Sequence, residues 1–197
     1  MKKAIIIVLM CAFCYASHTD AQTRRGTTKS RTTQVTKKET FDMDLETDGR
    51  FKRAGEQQFF VVNFPGKTAS QLYSDVLAHI AQVYVYPDRV TDKAENRSII
   101  INGSEPEFME LTGRLGCLDL RYRIEIQFKD GRLRINMPEI TKVIIRYEDT
   151  GNNIYLDRED CVPRAISCGA TGMFTKPKQY FKTLYGALAY GLQDEDW

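Results

Sequence analysis

The stretch Leu118-Asp-Leu-Arg-Tyr-Arg-Ile-Glu-Ile-Gln-Phe-Lys-Asp-Gly-Arg-Leu-Arg-Ile-Asn-Met137 decides the fold. Apolar and polar side chains alternate along it with a period of two, the pattern of a β-strand with one face buried and the other in water. The alternation breaks at Asp130-Gly131, a dipeptide typical of a two-residue hairpin turn. That turn pairs Lys129 with Arg132 and brings the apolar residues of both strands to one face. The pattern therefore predicts an antiparallel hairpin with one fixed register.

The polar face of this hairpin carries a cluster of basic residues. We call this cluster the basic face, and its members are Arg121, Arg123, Lys129, Arg132 and Arg134. Asp119 and Glu125 are the acidic residues that share the face, so its net charge is +3. Such a face indicates either a binding site for an acidic partner or a sheet surface that is kept charged to prevent aggregation. The sequence leaves both interpretations open.

Further helix and strand patterns surround the hairpin. A β-branched and aromatic run at Phe59–Val62 predicts a strand. The capping box Thr68-Ala-Ser-Gln71 begins a predicted helix, whose apolar residues recur at helical spacing until Val83. The other predicted elements are strands at 97–102, 108–111, 142–147 and 154–156, a loop at 161–177 and a helix at 181–192. Together they predict an α+β fold, an antiparallel sheet with helices packed on one face.

The hairpin region resembles a known family. The string from Gly116 to Ile135, together with the helix start Gly66-Lys-Thr-Ala-Ser-Gln-Leu-Tyr73, is similar to a family of secreted Bacteroidetes proteins of unknown function with a TATA-binding-protein-like (TBP-like) fold. The resemblance covers roughly residues 59–147 and implies an antiparallel sheet covered on one side by helices. It implies no activity and no site residues. The name of the fold does not imply DNA binding, because function belongs to sites and not to folds, and we expect no nucleic-acid partner for an exported protein.

The amino terminus has the pattern of a secretory signal peptide. Lys2 and Lys3 precede an apolar stretch from Ala4 to Ala16, and a small residue stands before Gln22. The apolar stretch is shorter than the roughly 18 to 20 residues that cross a bilayer, so we expect no transmembrane segment in the mature chain. We expect residues 1–21 to be a cleaved signal peptide and the mature protein to be exported to the periplasm, the outer envelope or the medium.

Composition divides the rest of the chain. Residues 22–38 are basic and threonine-rich and are followed by an acidic run, so we expect 22–54 to be a flexible charged leader. We assign 55–157 to the α+β domain and 158–197 to a loop and a helix that packs on the same domain. Removing the signal peptide leaves 26 basic and 25 acidic residues, a net charge of +1. This balance gives no general electrostatic reason for a nucleic-acid or membrane partner.

Three cysteines remain after the predicted cleavage. Export permits disulfides, and the short spacing between Cys161 and Cys168, with Pro163 and Gly169 nearby, favours a local bridge. Cys117 would then remain unpaired. Three reduced thiols are the alternative, because an odd count does not require a disulfide framework.

No motif in the chain identifies an enzyme. His79 is the single histidine after the predicted cleavage, which excludes a multi-histidine metal site. Gly66-Lys67-Thr68 lacks the upstream glycine of a phosphate-binding loop, and the acidic run before Gly49 lacks the glutamate that ends a calcium loop. We therefore assign no catalytic residue, no metal ligand and no cofactor.

Two functions remain. The first is a non-enzymatic exported binding module of the cell envelope, whose basic face recognises an acidic protein, lipid or glycan surface. The alternative is a cell-wall or glycan hydrolase that uses carboxylates the sequence does not locate. A deep pocket with two nearby acids would favour the hydrolase, and a shallow basic sheet face would favour the binding module.

Overall fold

The computed structural model describes residues 38–53, 55, 57–111, 116–147, 151–167, 170 and 172–192. The described residues lie in one compact unit, and the predicted signal peptide and residues 22–37 of the predicted leader lie outside them. The strands are β1 Asp44–Leu45, β2 Phe51–Lys52, β3 Phe59–Asn63, β4 Thr91–Ala94, β5 Ser98–Glu110, β6 Gly116–Lys129, β7 Arg132–Asn136, β8 Glu139–Tyr147 and β9 Asn153–Leu156. The helices are α1 Ala69–Val83, α2 Pro87–Val90, α3 Arg158–Ser167 and α4 Lys176–Tyr190.

One antiparallel sheet organises the domain. Its main path runs β3-β7-β6-β5-β4, and β8 and β9 extend it from β6. The 14-residue strand β6 is the centre of this arrangement. One of its edges pairs with β5, and the other pairs with β7 near the hairpin turn and with β8 farther back. Two strands, β7 and β8, therefore pair with β6 along one of its edges.

The register of the β6–β7 hairpin is the predicted one. Lys129 pairs with Arg132, and Ile126 pairs with Ile135. Gly131 in the turn has φ of +76°, a conformation that glycine adopts without the steric cost of a Cβ. The apolar residues that alternate along β6 are buried, as the period-two pattern requires.

Helices cover the apolar face of the sheet. Thr68 caps α1 through the predicted capping box, in which the Gln71 side chain returns to the Thr68 backbone. Helix α4 packs across the same face, where the Phe181 ring meets the Tyr122 ring edge-on at a centroid distance of 5.1 Å. The Tyr185 hydroxyl donates to the Asn136 carbonyl at 2.6 Å. The predicted α+β architecture with helices on one face is confirmed.

The structure differs from the predicted flexible leader, because residues 38–53 pack into the domain. Phe41, Met43, Leu45 and Phe51 are buried, and β1 pairs with β2. The aspartates between them point outward, and Lys182 Nζ lies 2.6 Å from the Asp42 carboxylate. Apolar residues alternate with aspartates from 41 to 45, which is the pattern of a half-buried strand. The sequence prediction missed this pattern because it assigned the acidic run to a flexible leader.

Other elements also differ from the sequence prediction. Residues 158–167 form α3 where a loop was predicted from residue 161, and α3 buries Val162 and Ala165 against the domain. The strands predicted at 97–102 and 108–111 are one strand, β5, with a bulge between Glu105 and Met109. β4 was not predicted, because Thr91–Ala94 lacks an apolar face and is held by its pairing with β5.

Candidate functional site

The basic face lies on the side of the sheet opposite the helices. Arg121, Arg123, Lys129 and Arg132 are exposed there, and Arg134 is half-buried. In the part of the chain that the structure describes, none of these five residues forms an ion pair. Their positive charge is therefore presented to the solvent without a protein carboxylate to neutralise it.

Strand β8 adds a cation that the sequence analysis missed. Lys142 is the cross-strand partner of Arg121, so both side chains belong to the same face. The Lys142 ammonium also lies 5.8 Å from the centroid of the Tyr155 ring. A strand was predicted at 142–147, but its pairing with β6 is a long-range contact that no local pattern specifies.

Asp119, the first acid on this side of the hairpin, accepts hydrogen bonds from residues outside the basic face. It is 6% exposed and accepts hydrogen bonds from the Arg146 guanidinium, with Nε at 2.9 Å. This bond raises the pKa of Arg146 above its usual range. The second carboxylate oxygen accepts from the Glu107 backbone N–H at 2.9 Å, in the β5 bulge where Glu107 has φ of +52°. Asp119 thus holds the bulge and neutralises Arg146 instead of the basic face.

Glu125, the second acid, is bound by amides. Its two oxygens accept from the side chains of Gln127 and Asn136, each at 2.9 Å. Asn136 in turn accepts from Arg134 Nε at 2.8 Å. A neutral amide therefore stands between the Glu125 carboxylate and the Arg134 guanidinium.

The structure divides the basic face into two parts. Lys129, Arg132 and Arg134 line a depression of about 180 Å³, which we call the hairpin depression. Val61, Gln127 and Leu133 complete its lining, and no carboxylate is part of it. Arg121 and Arg123 lie farther along β6 and do not line it.

The hairpin tip that carries this depression is fixed to the rest of the domain. The Phe64 N–H donates to the Gly131 carbonyl at 2.7 Å, and the Gly131 N–H donates to the Lys67 carbonyl at 2.8 Å. The Asp130 carboxylate accepts from the Ala69 N–H at 2.8 Å, in the first turn of α1. A helix amino terminus favours a negative charge. Asp130 is therefore drawn to α1 and does not neutralise the neighbouring cations.

Arg134 is positioned by two contacts. Its guanidinium carbon lies 3.9 Å from the centroid of the Phe59 ring, an arrangement typical of cation–π stacking. Its Nε donates to Asn136, as described above, which fixes the plane of the guanidinium. Because the protein already holds the Arg134 guanidinium in place, little side-chain entropy would be lost when its terminal nitrogens donate hydrogen bonds to a ligand.

The remaining candidate residues have structural surroundings. His79 Nδ1 lies 3.0 Å from the Leu188 carbonyl, between α1 and α4. Cys161 is a buried thiol in α3, and burial raises its pKa to about 11. Cys168, its predicted disulfide partner, lies outside the described residues, so the bridge stays a prediction. Within the described residues there is no group of three or more metal-ligating side chains.

Three other depressions lined by described residues contain one carboxylate each. The largest, about 570 Å³, lies between residues 38–41 and α4 and contains Glu39. Two further depressions, of about 260 and 370 Å³, contain Asp75 and Glu139 respectively. None of them presents the pair of acids that a glycoside hydrolase uses. No helix in the described part of the chain combines the length and hydropathy needed to span a bilayer.

Comparison with known proteins identifies the family that this fold resembles. Residues 60–142 match the model of a family described as a domain of unknown function (DUF4468) with a TBP-like fold, which confirms the resemblance and the fold expected from the hairpin. A TBP-like protein from Parabacteroides distasonis ATCC 8503 is 12% identical with a TM-score of 0.47, covering 70% of this chain and 92% of its own. A DUF4468 family protein from Bacteroides ovatus ATCC 8483 is 16% identical with a TM-score of 0.46, covering 77% and 92%. A search of curated proteins finds no match.

Proposed function

With a match to a family of unknown function as the premise, we propose that this protein is a non-enzymatic binding module of the cell envelope. Its basic face engages the acidic surface of a protein, a lipid or a glycan. Export follows in this proposal from the signal-peptide pattern of residues 1–21. The intact mass of the exported protein tests it, because cleavage before Gln22 is expected and retention of Met1 would contradict it.

One observation carries the binding proposal. The acids beside the basic face are engaged elsewhere: Asp119 by Arg146, Glu125 by two amides, Asp130 by the start of α1, and Glu139, the cross-strand partner of Arg123, by Arg158. A sheet surface that is charged for solubility alone can mix both signs, and mixed signs reduce like-charge repulsion. Here the arrangement directs the carboxylates away and leaves the cations unpaired, which supports a role in binding an acidic partner.

The shape of the surface supports the same function. The hairpin depression is small, about 180 Å³, and is lined by three cations, whereas the depressions that contain a carboxylate contain one each. Acid–base hydrolysis of a glycan uses two carboxylates across the scissile bond. The geometry of the described residues therefore supports the binding module.

The proposal is tested by replacing three cations of the basic face. Arg123, Arg132 and Arg134 are changed together to Gln, and binding is measured to polyglutamate, to phosphatidylglycerol vesicles and to a polyuronate glycan. The triple variant should bind its preferred surface at least tenfold more weakly, while its melting temperature stays close to that of the wild type.

A second triple variant controls for net charge. Arg89, Arg164 and Lys176 are exposed and lie on α2, α3 and α4, away from the basic face. Their replacement by Gln removes the same three charges and should leave binding within about twofold of the wild type, since distant exposed charges are largely screened. Equal weakening by both triple variants would show that net charge, and not the basic face, determines binding.

A further inference from the structure

The geometry points to a specific ligand chemistry within the basic face: we infer that the hairpin depression is a subsite for a phosphate group. Lys129, Arg132 and Arg134 would hold the phosphate oxygens, above a floor that includes Val61. This inference rests on the proposed function, because it assigns the chemistry that one part of the basic face recognises.

The three cations are close enough to act on a single anion. Lys129 and Arg132 are direct cross-strand partners, a relation that places Cα atoms about 4.5–5.5 Å apart. Arg134 follows Arg132 by two residues on the same face, about 7 Å along the strand. All three side chains also line one depression of about 180 Å³, so three like charges are gathered at one place on the surface. A bound anion would relieve that repulsion.

Phosphate fits this arrangement better than a single carboxylate does. A phosphate monoester carries about −1.5 to −2 charges at pH 7 and three acceptor oxygens. The guanidinium fork presents parallel N–H groups that match two of those oxygens. Arg134 is already positioned by Phe59 and Asn136, and it forms no ion pair with a carboxylate of the described residues. A carboxylate has two oxygens and one charge, which would leave one of the three cations without a partner.

The subsite is rigid. The hairpin tip is held by backbone bonds from Gly131 to Phe64 and Lys67, and Asp130 is fixed at the start of α1. A volume of about 180 Å³ admits a phosphate group with ordered water but excludes a large ligand. The rest of a phosphorylated molecule would extend from the depression along the sheet, toward Arg121 and Arg123.

The inference is tested by titrating the mature protein with inorganic phosphate while following backbone amides by NMR. Sodium acetate at equal ionic strength is the carboxylate comparison. Saturating shifts confined to residues 61 and 127–134 are expected with phosphate, with tighter binding at pH 7.5 than at pH 5.5, because the dianionic fraction of phosphate increases over this range. Shifts that are scattered over the surface, or equal for phosphate and acetate, would overturn the inference.

Two double variants with the same charge change provide the control. R132Q/R134Q should weaken phosphate binding by roughly tenfold or more, because charge-assisted contacts are lost. R89Q/R164Q removes the same two charges from α2 and α3 and should leave phosphate binding unchanged, because neither residue lines the depression or belongs to the basic face. If R132Q/R134Q does not fold, R132K/R134K keeps the charge and removes the fork, and it should still weaken binding severalfold. Unchanged phosphate affinity in the variants of Arg132 and Arg134 would refute the subsite.

The outcomes separate this inference from the proposed function. Vesicles that carry phosphatidic acid, compared with free phosphate, show whether a lipid headgroup can supply the ligand. Phosphate binding without capture of any acidic surface would support the subsite and contradict the broader proposal. Capture that depends on the basic face, without phosphate binding, would support the broader proposal and overturn the subsite.

Discussion

Replacing Gly103 by Ala should destabilise the domain strongly, because a Cβ at this position has no space. The added atom would stand 2.1 Å from Tyr122 Cζ and 2.4 Å from its hydroxyl oxygen. Tyr122 cannot move aside easily: it is 1% exposed and packs edge-on against Phe181. Its hydroxyl lies 2.8 Å from the hydroxyls of both Tyr84 and Tyr180. Burial raises the pKa of Tyr122 far above its usual range, so these hydrogen bonds persist at all physiological pH values.

The expected loss follows from these contacts. Overpacking a core costs about 1–3 kcal/mol, and displacing the Tyr122 hydroxyl from two partners adds about 0.5–1.5 kcal/mol for each hydrogen bond. Gly103→Ala should therefore lower the free energy of unfolding by about 2–6 kcal/mol. Urea denaturation monitored by circular dichroism measures this loss, provided that the m-value is unchanged.

Two comparisons make the result specific. Gly186 lies within α4, and a Cβ there meets no atom within 4 Å, so Gly186→Ala should stabilise the protein by about 0.5–1 kcal/mol through helix propensity. In a Tyr122→Leu background, Gly103→Ala should cost less than about 1 kcal/mol, because the ring is gone. The reasoning is refuted if Gly103→Ala costs less than about 0.5 kcal/mol, or if its cost is the same in both backgrounds.

Three further predictions concern other parts of the fold. Phe41→Ala should lower the free energy of unfolding by about 3–5 kcal/mol in urea denaturation, because Phe41 is 3% exposed. An unchanged free energy of unfolding would show that residues 38–53 do not pack into the domain and belong to the predicted flexible leader. The salt bridge to Lys182 lowers the pKa of Asp42 in the folded protein. The salt bridge therefore stabilises the fold fully above the pKa that Asp42 has in the unfolded chain. This stabilisation is lost as the pH falls through the lower pKa of the folded protein. The protection factors of amides near Asp42, corrected for the intrinsic pH dependence of hydrogen exchange, should accordingly fall below about pH 4, and protection that does not change with this titration would contradict the pairing. Cys161 should resist alkylation at pH 8 in the folded protein, because burial raises its pKa to about 11, and rapid native labelling would contradict that burial. Peptide mapping without reduction then decides whether Cys161 is bridged to Cys168.

The sequence predicts the hairpin well because its determinants are local. Alternation along β6 assigns each side chain to a face, and Asp130-Gly131 fixes which residues are opposite one another. The exposure of Arg121, Arg123, Lys129 and Arg132 follows from those two facts alone. The capping box of α1 is equally local.

What the sequence does not predict depends on contacts between distant segments. The hairpin depression requires Val61 beside Arg134, which arises from the pairing of β3 with β7. The engagement of Asp130 by Ala69 depends on where α1 begins in space. The packing of residues 38–53 was missed because their acidic charge suggested a solvated linker, whereas the apolar side chains between the aspartates supply the core contacts.

The central claim, that the basic face binds an acidic partner, is tested most directly by the salt dependence of binding. The dissociation constant of the mature protein for its preferred acidic surface is measured over a series of salt concentrations, for the wild type and for the Arg123, Arg132 and Arg134→Gln variant. Binding by unpaired cations predicts a steep rise of the dissociation constant with salt in the wild type and a much shallower one in the variant, at an unchanged melting temperature. The same affinity and the same salt slope in both proteins would contradict the claim and leave the basic face as a surface that keeps the sheet from aggregating.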